Sequence, residues 1–179
     1  MMLKIQNVVS TAYVGQKLNL KYLANRLINI EYKPSKFIAA IIRIRNPYAT
    51  CLIFPSGRLV ITRAKSVEQS YKAARVFARK IQKVSPLKTT FKEFKVQNIV
   101  GNFEMKRKID VNLFYTYNKN KCLYDPESFP GLKYKIDDKE KIVALVFNSG
   151  RIVITGAKDV KRISELADRM HRLLLRYKK

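Results

Sequence analysis

Apolar residues recur along the chain with two different periods, and the two periods follow each other in the same order in each half. Residues 52–54 and 59–62 are rich in β-branched side chains and flank the turn 55–57, which predicts a β-hairpin. The same pattern returns over 142–155. Each half therefore predicts a short strand, a short helix, several strands and then a long helix.

The long helices follow the hairpins and show helical spacing of apolar residues. Ser66 and Gln69 form a capping box at the start of the first helix. Its predicted apolar face is Val67, Tyr71, Ala74, Ala78 and Ile81. The second helix, from about Val160, has the stripe Ile163, Leu166, Ala167, Met170, Leu173 and Leu174. Shorter helices are predicted near 18–27 and 109–117, with a proline-containing connector at 85–90.

Several blocks of the sequence occur twice. Residues 5–9 (IQNVV) return as 96–100 (VQNIV), and residues 54–62 return as 147–155 with only conservative changes. This spacing of 91 to 93 residues exceeds that of a solenoid unit, which repeats every ~20–50 residues. We therefore predict two similar half-domains, 1–90 and 91–179, related by a pseudo-two-fold axis and offering a partner two matching surfaces.

The strands of both halves are apolar on both sides. A sheet covered by helices on one side normally keeps polar residues on the other. Leu59 and Ile61 can face the helices, which leaves Val60 and Thr62 on the opposite side. In the second half that side would hold Val143, Leu145, Phe147 and Val153. Since proteins seldom leave a large apolar face in water, a third layer or a partner must cover it, and the lack of spare helices favours a partner.

The charge indicates what kind of partner this is. The chain has 37 Lys and Arg against 13 Asp and Glu, a formal net charge of +24, and both halves are basic. A compact protein with such self-repulsion usually binds a polyanion, so nucleic acid is the first candidate and an anionic membrane surface the second. No apolar run approaches the ~18 residues that would cross a bilayer, and the first residues do not resemble a signal peptide.

Few residues are available for catalytic or metal chemistry. Cys51 and Cys122 lie among apolar residues and are interpreted as reduced core thiols of an intracellular protein. His171 is the single histidine, so a structural zinc site is not expected. The sequence has no carboxylate cluster and no nucleophile–base pair, and we expect neither an enzyme nor a cofactor.

Five motifs occur in order and in duplicate: the Gln-Asn pairs at 6–7 and 97–98, the Phe-x-Ser-Gly-Arg hairpins, the strand ends 62–65 and 155–158, and the segments 94–101 and 124–132. With these motifs the chain closely resembles the core of the TATA-box-binding protein family, from about Ile5 to the last helix. The resemblance implies an α+β fold in which two pseudo-symmetric half-domains form a saddle. A curved ten-stranded antiparallel sheet would carry helices on its convex face.

The resemblance also implies a function for particular residues. Proteins of this family are themselves a standard example of minor-groove binding with DNA kinking by apolar wedges. The positions matching the wedges are Phe37, Phe54, Phe129 and Phe147. The positions matching base contacts are Asn7, Asn98, Thr62, Thr155, Val9, Val60, Val100, Val153, Leu52 and Leu145. The positions matching phosphate contacts are Lys36, Arg43, Arg58, Lys135 and Arg151. From the residues alone, the phenylalanines could instead be core, and the asparagines could serve strand ends.

Protein partners are implied on other surfaces. Asp125 and Glu127 match the acidic region that receives transcription factor IIB. The basic helix residues Lys72, Arg75, Arg79, Lys80 and Lys83 match the region used by transcription factor IIA and by inhibitors. TATA-binding-protein-associated factors and a homodimer formed without DNA are further partners that the resemblance implies.

The implied function is that of a general initiation factor that binds TATA promoter DNA and nucleates the preinitiation complex. The strong basicity resembles the eukaryotic branch of the family and predicts nuclear localisation. The alternative is a diverged paralogue or architectural DNA-bending protein with relaxed sequence specificity. Three departures from the family pattern favour that alternative: Arg63 at the position of Gly156, Ile38 after the first phenylalanine, and one extra residue over 135–142.

Overall fold

The computed structural model describes residues 2–179 and has the predicted α+β class. The first repeat comprises β1 (Lys4–Tyr13), α1 (Leu20–Ala24), β2 (Ile30–Glu31), β3 (Ala40–Arg45), β4 (Tyr48–Ile53), β5 (Arg58–Ala64) and α2 (Val67–Val84). The second comprises β6 (Lys92–Glu104), α3 (Val111–Tyr117), β7 (Cys122–Leu123), β8 (Leu132–Asp137), β9 (Ile142–Val146), β10 (Arg151–Ala157) and α4 (Val160–Leu174). Short 3₁₀ turns occur at Lys119–Lys121 and Leu175–Tyr177.

The chain divides into two compact units. The first unit is Asn7–Gln97, and the second is Asn98–Lys179 together with the N-terminal segment up to Gln6. Strand order is β2-β3-β4-β5-β1 in the first repeat and β6-β10-β9-β8-β7 in the second, with antiparallel pairing. The predicted repeat of one element order and the ten antiparallel strands are thereby confirmed for residues 2–179.

Helix α2 packs on one face of the first sheet and closes the core of that unit. Ser66 begins the helix as predicted, with its Oγ accepting a hydrogen bond from Gln69 N at 3.1 Å. The buried residues are Ser70, Ala73, Ala74, Phe77, Ala78 and Ile81, packed over Leu59 and Ile61. The predicted face was therefore partly wrong, because Val67 is only half-buried and Tyr71 is exposed.

Helix α4 closes the core of the second unit in the same manner. Asp159 caps its start by accepting from Arg162 N at 3.0 Å. The predicted stripe is buried at Ile163, Leu166, Ala167, Met170 and Leu174. Leu173 was wrongly included, since it is only half-buried at the edge of the stripe.

The shorter predicted elements differ in detail. The helix predicted over 18–27 extends only over Leu20–Ala24, because Asn19 in extended conformation caps it by accepting from Tyr22 N at 3.0 Å. Cys51 is buried as predicted, but Cys122 lies half-buried on the edge strand β7 and is not a core thiol. Burial raises the pKa of the Cys122 thiol to about 11.

Two further features of residues 2–179 bear on function. None of the helices combines the length and apolar character that crossing a membrane requires. Within the same residues, no group of three or more histidine, cysteine, aspartate or glutamate side chains is placed to hold a metal ion.

Candidate nucleic-acid interface

The face of the first sheet that points away from α2, here called the first outer face, carries a row of mainly apolar side chains. Val60 pairs with Thr11 on one side and with Leu52 on the other, and Leu52 pairs with Ile41. All four are half-buried, as is Val9 on β1. Their neighbours along each strand point into the core, since successive side chains of a strand face opposite ways. The three apolar residues of this unit that were predicted to contact bases, Val9, Leu52 and Val60, thus share one face.

The second outer face, on the side of its sheet away from α4, has a matching row. Val153 pairs with Asn102 and with Leu145, and Leu145 pairs with Lys133. Val153, Leu145 and Val100 are half-buried, while Lys133 is exposed. The second row is therefore more polar at both ends than the first, but its centre is equally apolar.

The four predicted wedge phenylalanines meet as two pairs. Phe37 contacts Phe54 edge to face with ring centroids 6.4 Å apart, and Phe129 contacts Phe147 in the same way at 5.8 Å. Phe37 is 43% exposed and Phe129 is 46% exposed, while their partners are half-buried. None of the four lies inside a core, so the alternative interpretation of these residues as core is wrong.

Tight turns fix the inner member of each pair. Phe54 N donates to Arg58 O at 2.9 Å, and Gly57 N donates to Phe54 O at 2.9 Å. Gly57 has φ +86° and lies so close to Gln16 O that a Cβ would overlap it, so only glycine fits there. The same two bonds recur around Phe147, at 3.1 and 2.9 Å. The repeated Ser-Gly-Arg motif therefore serves to orient a phenylalanine.

Glycine and alanine at equivalent positions distinguish the two pairs. A Cβ at Gly131 would lie 2.6 Å from Phe129 Cε1 and 2.9 Å from Phe147 Cζ. The first repeat has Ala39 in the corresponding place, and Ala39 is buried. The wider ring separation in the first pair, 6.4 Å against 5.8 Å, is consistent with the space that this methyl group occupies.

A bulge in each sheet explains the position of the paired asparagines. The register between β1 and β5 shifts near Arg63 (φ +72°), and that between β6 and β10 shifts near Gly156 (φ +108°). A bulge leaves one backbone N–H without a ladder partner. Asn7 Oδ1 accepts from Arg63 N at 2.7 Å, and Asn98 Oδ1 accepts from Gly156 N at 2.8 Å. Each asparagine therefore does serve a strand end through its oxygen.

The threonines beside the bulges contact the same amides. Thr62 Oγ1 donates to Asn7 Oδ1 at 3.2 Å, and Thr155 Oγ1 lies 3.1 Å from Asn98 Nδ2 and 3.3 Å from its Oδ1. A backbone N–H can only donate a hydrogen bond. The asparagine atom that accepts from Arg63 N or from Gly156 N is therefore the amide oxygen, Oδ1. In the described part of the chain Asn7 Nδ2 has no hydrogen-bond partner, so this amide group keeps an unused donor.

The cations predicted to contact phosphate lie around these features and are all exposed. Arg43 pairs with Thr50, next to Thr62, and Lys135 holds the equivalent position beside Val143. Arg43 also forms an ion pair with Glu31 at 2.6 Å. The remaining predicted cations are Arg58 and Arg151 at the starts of β5 and β10, and Lys36 in the turn before Phe37.

Sequence reasoning missed several residues of the two outer faces. Thr11 and Asn102 occupy equivalent positions and accept hydrogen bonds from Gln97 Nε2 at 2.9 Å and Gln6 Nε2 at 2.8 Å. Ile41 and Lys133 end the two rows. The alternation of side chains along each strand could have identified these four residues. Each of them lies two residues from a predicted site residue on its own strand and therefore faces the same way.

The predicted protein-binding residues are exposed on other parts of the two units. Ser128 Oγ donates to Asp125 Oδ2 at 2.6 Å, and this bond lowers the pKa of the Asp125 carboxyl. Glu127 lies in the same turn and is exposed. The basic residues Lys72, Arg75, Arg79, Lys80 and Lys83 all lie on the solvent side of α2.

Two of the three sequence departures have structural counterparts. Arg63 adopts the positive φ that glycine has at position 156, so an L side chain occupies left-handed backbone there. The extra residue over 135–142 appears as a register shift between Lys135 and Asp137 in the β8–β9 ladder. Ile38 is 62% exposed and leaves the Phe37–Phe54 contact in place.

Comparison with known proteins agrees with this architecture. The family model "Transcription factor TFIID (or TATA-binding protein, TBP)" matches residues 2–84 and 93–177. The chain is 44% identical over 176 residues to a TATA-box-binding protein of Tetrahymena thermophila, covering 98% of this chain and 71% of that protein. It is 46% identical over 175 residues to one of Acanthamoeba castellanii, covering 98% of this chain and 67% of that protein.

The fold comparison leads to the same family. The structure of Methanococcus jannaschii TBP superposes with a TM-score of 0.83 at 30% sequence identity, covering 98% of this chain and 99% of that one. The predicted family fold is thereby confirmed. With both repeats matched by the family model, the chain belongs to the TATA-binding protein family of transcription factors.

Proposed function

We propose that this protein binds the minor groove of TATA-containing promoter DNA through its two outer faces and kinks the duplex with its phenylalanine pairs. The observation that carries the proposal is the pairing of half-exposed phenylalanines beside an apolar row in each unit. A phenylalanine 43% or 46% exposed on a folded protein is a hydrophobic group available for insertion between bases.

Base selectivity follows from what the outer faces offer. An A·T pair presents only acceptors in the minor groove, whereas a G·C pair adds the guanine amino donor. Asn7 Nδ2 is a donor that can reach adenine N3 or thymine O2, and Val60 and Val153 offer no acceptor to a guanine amino group. Flexible TA steps cost less to kink, which adds selectivity without direct contact.

Affinity is supplied largely by the cations around the outer faces. The formal charge of +24 favours phosphate contacts and makes binding strongly dependent on salt. Lys36, Arg43, Arg58, Lys135 and Arg151 act in this role. The Arg43–Glu31 ion pair must loosen if the guanidinium is to reach a phosphate, so Arg43 contributes less than the other cations.

The bound, bent DNA then nucleates the preinitiation complex in the nucleus. Asp125 and Glu127 receive transcription factor IIB, and the basic face of α2 receives transcription factor IIA and TATA-binding-protein-associated factors. Relatives named TATA-box-binding proteins at 44% and 46% identity support this assignment. In the absence of DNA, a homodimer would cover the same apolar rows.

One binding comparison tests the proposal. A TATA duplex and a duplex of equal length with G·C substitutions are titrated at one moderately high salt concentration, because at low salt the charge would bind any DNA. Since each mismatched pair typically costs ~1–3 kcal/mol, we expect at least about a thirtyfold preference for TATA when two or more pairs differ. Equal affinities would remove the promoter assignment.

The second candidate is an architectural DNA-bending protein with relaxed specificity. Two observations favour it: Arg63 in left-handed backbone next to Asn7, and the wider ring separation of the first pair. Both observations concern the first unit. They affect Asn7, which is proposed to contact bases, and the first phenylalanine pair, which is proposed to open a base step. Equal affinities for the TATA and G·C duplexes in the titration above, with equal bends measured by energy transfer between labelled duplex ends, would support this candidate over the first.

A further inference from the structure

A cavity of about 270 Å³ lies in the first unit, on the helix side and away from the outer face. Its lining includes Arg75, Arg79 and Gln82 of α2 and Thr89 and Thr90 of the segment that follows. The proposed DNA contacts use none of these residues. The volume equals several water molecules at about 30 Å³ each, which is room for a small polyatomic ion.

The helix presents its polar groups to this cavity as one stripe. Arg75, Arg79 and Gln82 are spaced i, i+4 and i+7, which places them on one face. Neither arginine forms an ion pair within residues 2–179, in contrast to Lys72, which pairs with Glu68 at 2.6 Å. Residues 69–92 contain no Asp or Glu at all. The cavity therefore has two uncompensated guanidinium groups at its wall.

The lining also includes Thr89, whose hydroxyl group has no hydrogen-bond partner. Thr89 is 2% exposed, and its Oγ1 is the one buried side-chain nitrogen or oxygen in residues 2–179 without a hydrogen bond. Buried polar groups are almost always paired, so such an orphan indicates a missing partner. The segment is held in place, because Thr90 N donates to Val14 O at 2.9 Å and Gln82 Nε2 donates to Thr89 O at 3.2 Å.

From these two observations we propose that the cavity binds a small phosphate oxyanion, either inorganic phosphate or a phosphate monoester. Arginine presents a planar fork of donors that matches phosphate oxygens, and threonine hydroxyls supply further donors. A phosphate oxygen would accept the orphan hydrogen bond of Thr89 and neutralise the charge of Arg75 and Arg79. The ligand would also tie α2 to the segment that links the two repeats.

The second repeat has a cavity in the equivalent place, but its lining is different. Its lining includes Glu104, His171 and Leu175, together with the cations Lys106, Arg107 and Lys178. Asp168 stands at the helix position equivalent to Arg75. The unpartnered threonine hydroxyl and the arginine pair at i and i+4 of the first cavity are therefore not repeated in this lining.

The test uses the full chain without DNA, at constant ionic strength, with phosphate replacing chloride. Thermal unfolding and amide NMR shifts are followed, and O-phosphoserine is titrated in parallel. We expect saturable binding with shifts at Thr89 and Thr90, and at least a tenfold loss in Arg75→Gln and in Arg79→Gln. Lys83→Gln, which removes one charge from the same helix outside the cavity, should change the affinity less than twofold.

A second variant tests the proposed site without changing the charge of the protein. Thr89→Val has nearly the same shape and removes the orphan hydroxyl, so it should unfold at the same or a higher temperature in chloride while losing most of the phosphate effect. Binding of O-phosphoserine as well as phosphate identifies a monoester site, and binding of phosphate alone identifies a site for the free ion. Equal losses in Arg75→Gln and Lys83→Gln, or no difference between phosphate and chloride, would overturn the proposal.

Discussion

Replacing Phe129 with alanine should weaken and straighten the DNA complex, because it removes apolar surface that the free protein leaves partly in water. Phe129 is 46% exposed, and an aromatic side chain of roughly 200 Å² therefore leaves about 90 Å² in water. Covering that area at about 25 cal/mol per Å² contributes about 2 kcal/mol, or about 30-fold in affinity. The stability of the free protein should fall as well, by up to about 2–3 kcal/mol, because the remaining area of about 110 Å² is already buried without DNA.

The assay pairs two measurements on one labelled TATA duplex at fixed salt. Fluorescence anisotropy gives the affinity, and energy transfer between the duplex ends gives the bend. Leu87→Ala is the matched control, since Leu87 is 55% exposed in the connector and lies on neither outer face. An F129A protein that binds as tightly and bends as sharply as the parent would refute the wedge reasoning. So would an equal loss of affinity in the Leu87 variant.

Three further predictions concern single positions. Gly131→Ala should push the second phenylalanine pair apart and lower stability by about 1–3 kcal/mol, seen in thermal unfolding; unchanged stability would contradict the 2.6 Å approach. Arg63→Gly should raise stability by up to about 1 kcal/mol in urea unfolding by relieving left-handed backbone, and a lower urea midpoint would contradict this. Ser128→Ala should raise the pKa of Asp125 toward 3.8 in a carboxyl NMR titration, and an unchanged pKa would show that the Ser128 hydroxyl does not cause its lowering.

The direction of the Asp125 pKa shift determines the pH range in which the bond to Ser128 stabilises the protein. Its folded-state pKa lies below the ordinary value of 3.8, so the stabilising bond to Ser128 is present above that pH. The contribution is lost as the pH falls through the folded-state pKa. At neutral pH the Asp125 carboxyl is ionised, so the Ser128 variant is compared with a parent in which the bond is intact. Only acid conditions remove the stabilising effect of this bond.

The sequence predicted the hairpins well, because their determinants are local. The turn with Gly57 has φ +86°, which the Ser-Gly-Arg motif encodes directly. Alternation along the strands likewise separated Leu59 and Ile61 from Val60, as the burial confirms. Both features depend on residues within a few positions of each other, which is the range over which periodicity is informative.

The sequence-based predictions were wrong or incomplete where contacts between residues far apart in the chain determine the position of a side chain. Tyr71 fits the helical period of the core face but rotates outward, since its ring packs edge to face on Phe91 at 5.8 Å and Phe94 at 5.1 Å. Both partners follow α2 in the chain and could not be placed by periodicity. The bulge contact between Asn7 and Arg63 N likewise joins residues 56 positions apart. Such contacts become visible only once the strand register is known.

The central claim is that the minor groove covers the apolar rows of the outer faces, and intermolecular NMR contacts test it most directly. In a complex with a TATA duplex, methyl groups of Val60, Leu52, Val153 and Leu145 should show nuclear Overhauser effects to sugar H4′ and adenine H2 protons, which lie in the minor groove. Methyl groups of Leu87 should show none. A stable complex whose DNA contacts map to α2 and α4, with the four row residues unaffected, would contradict the account.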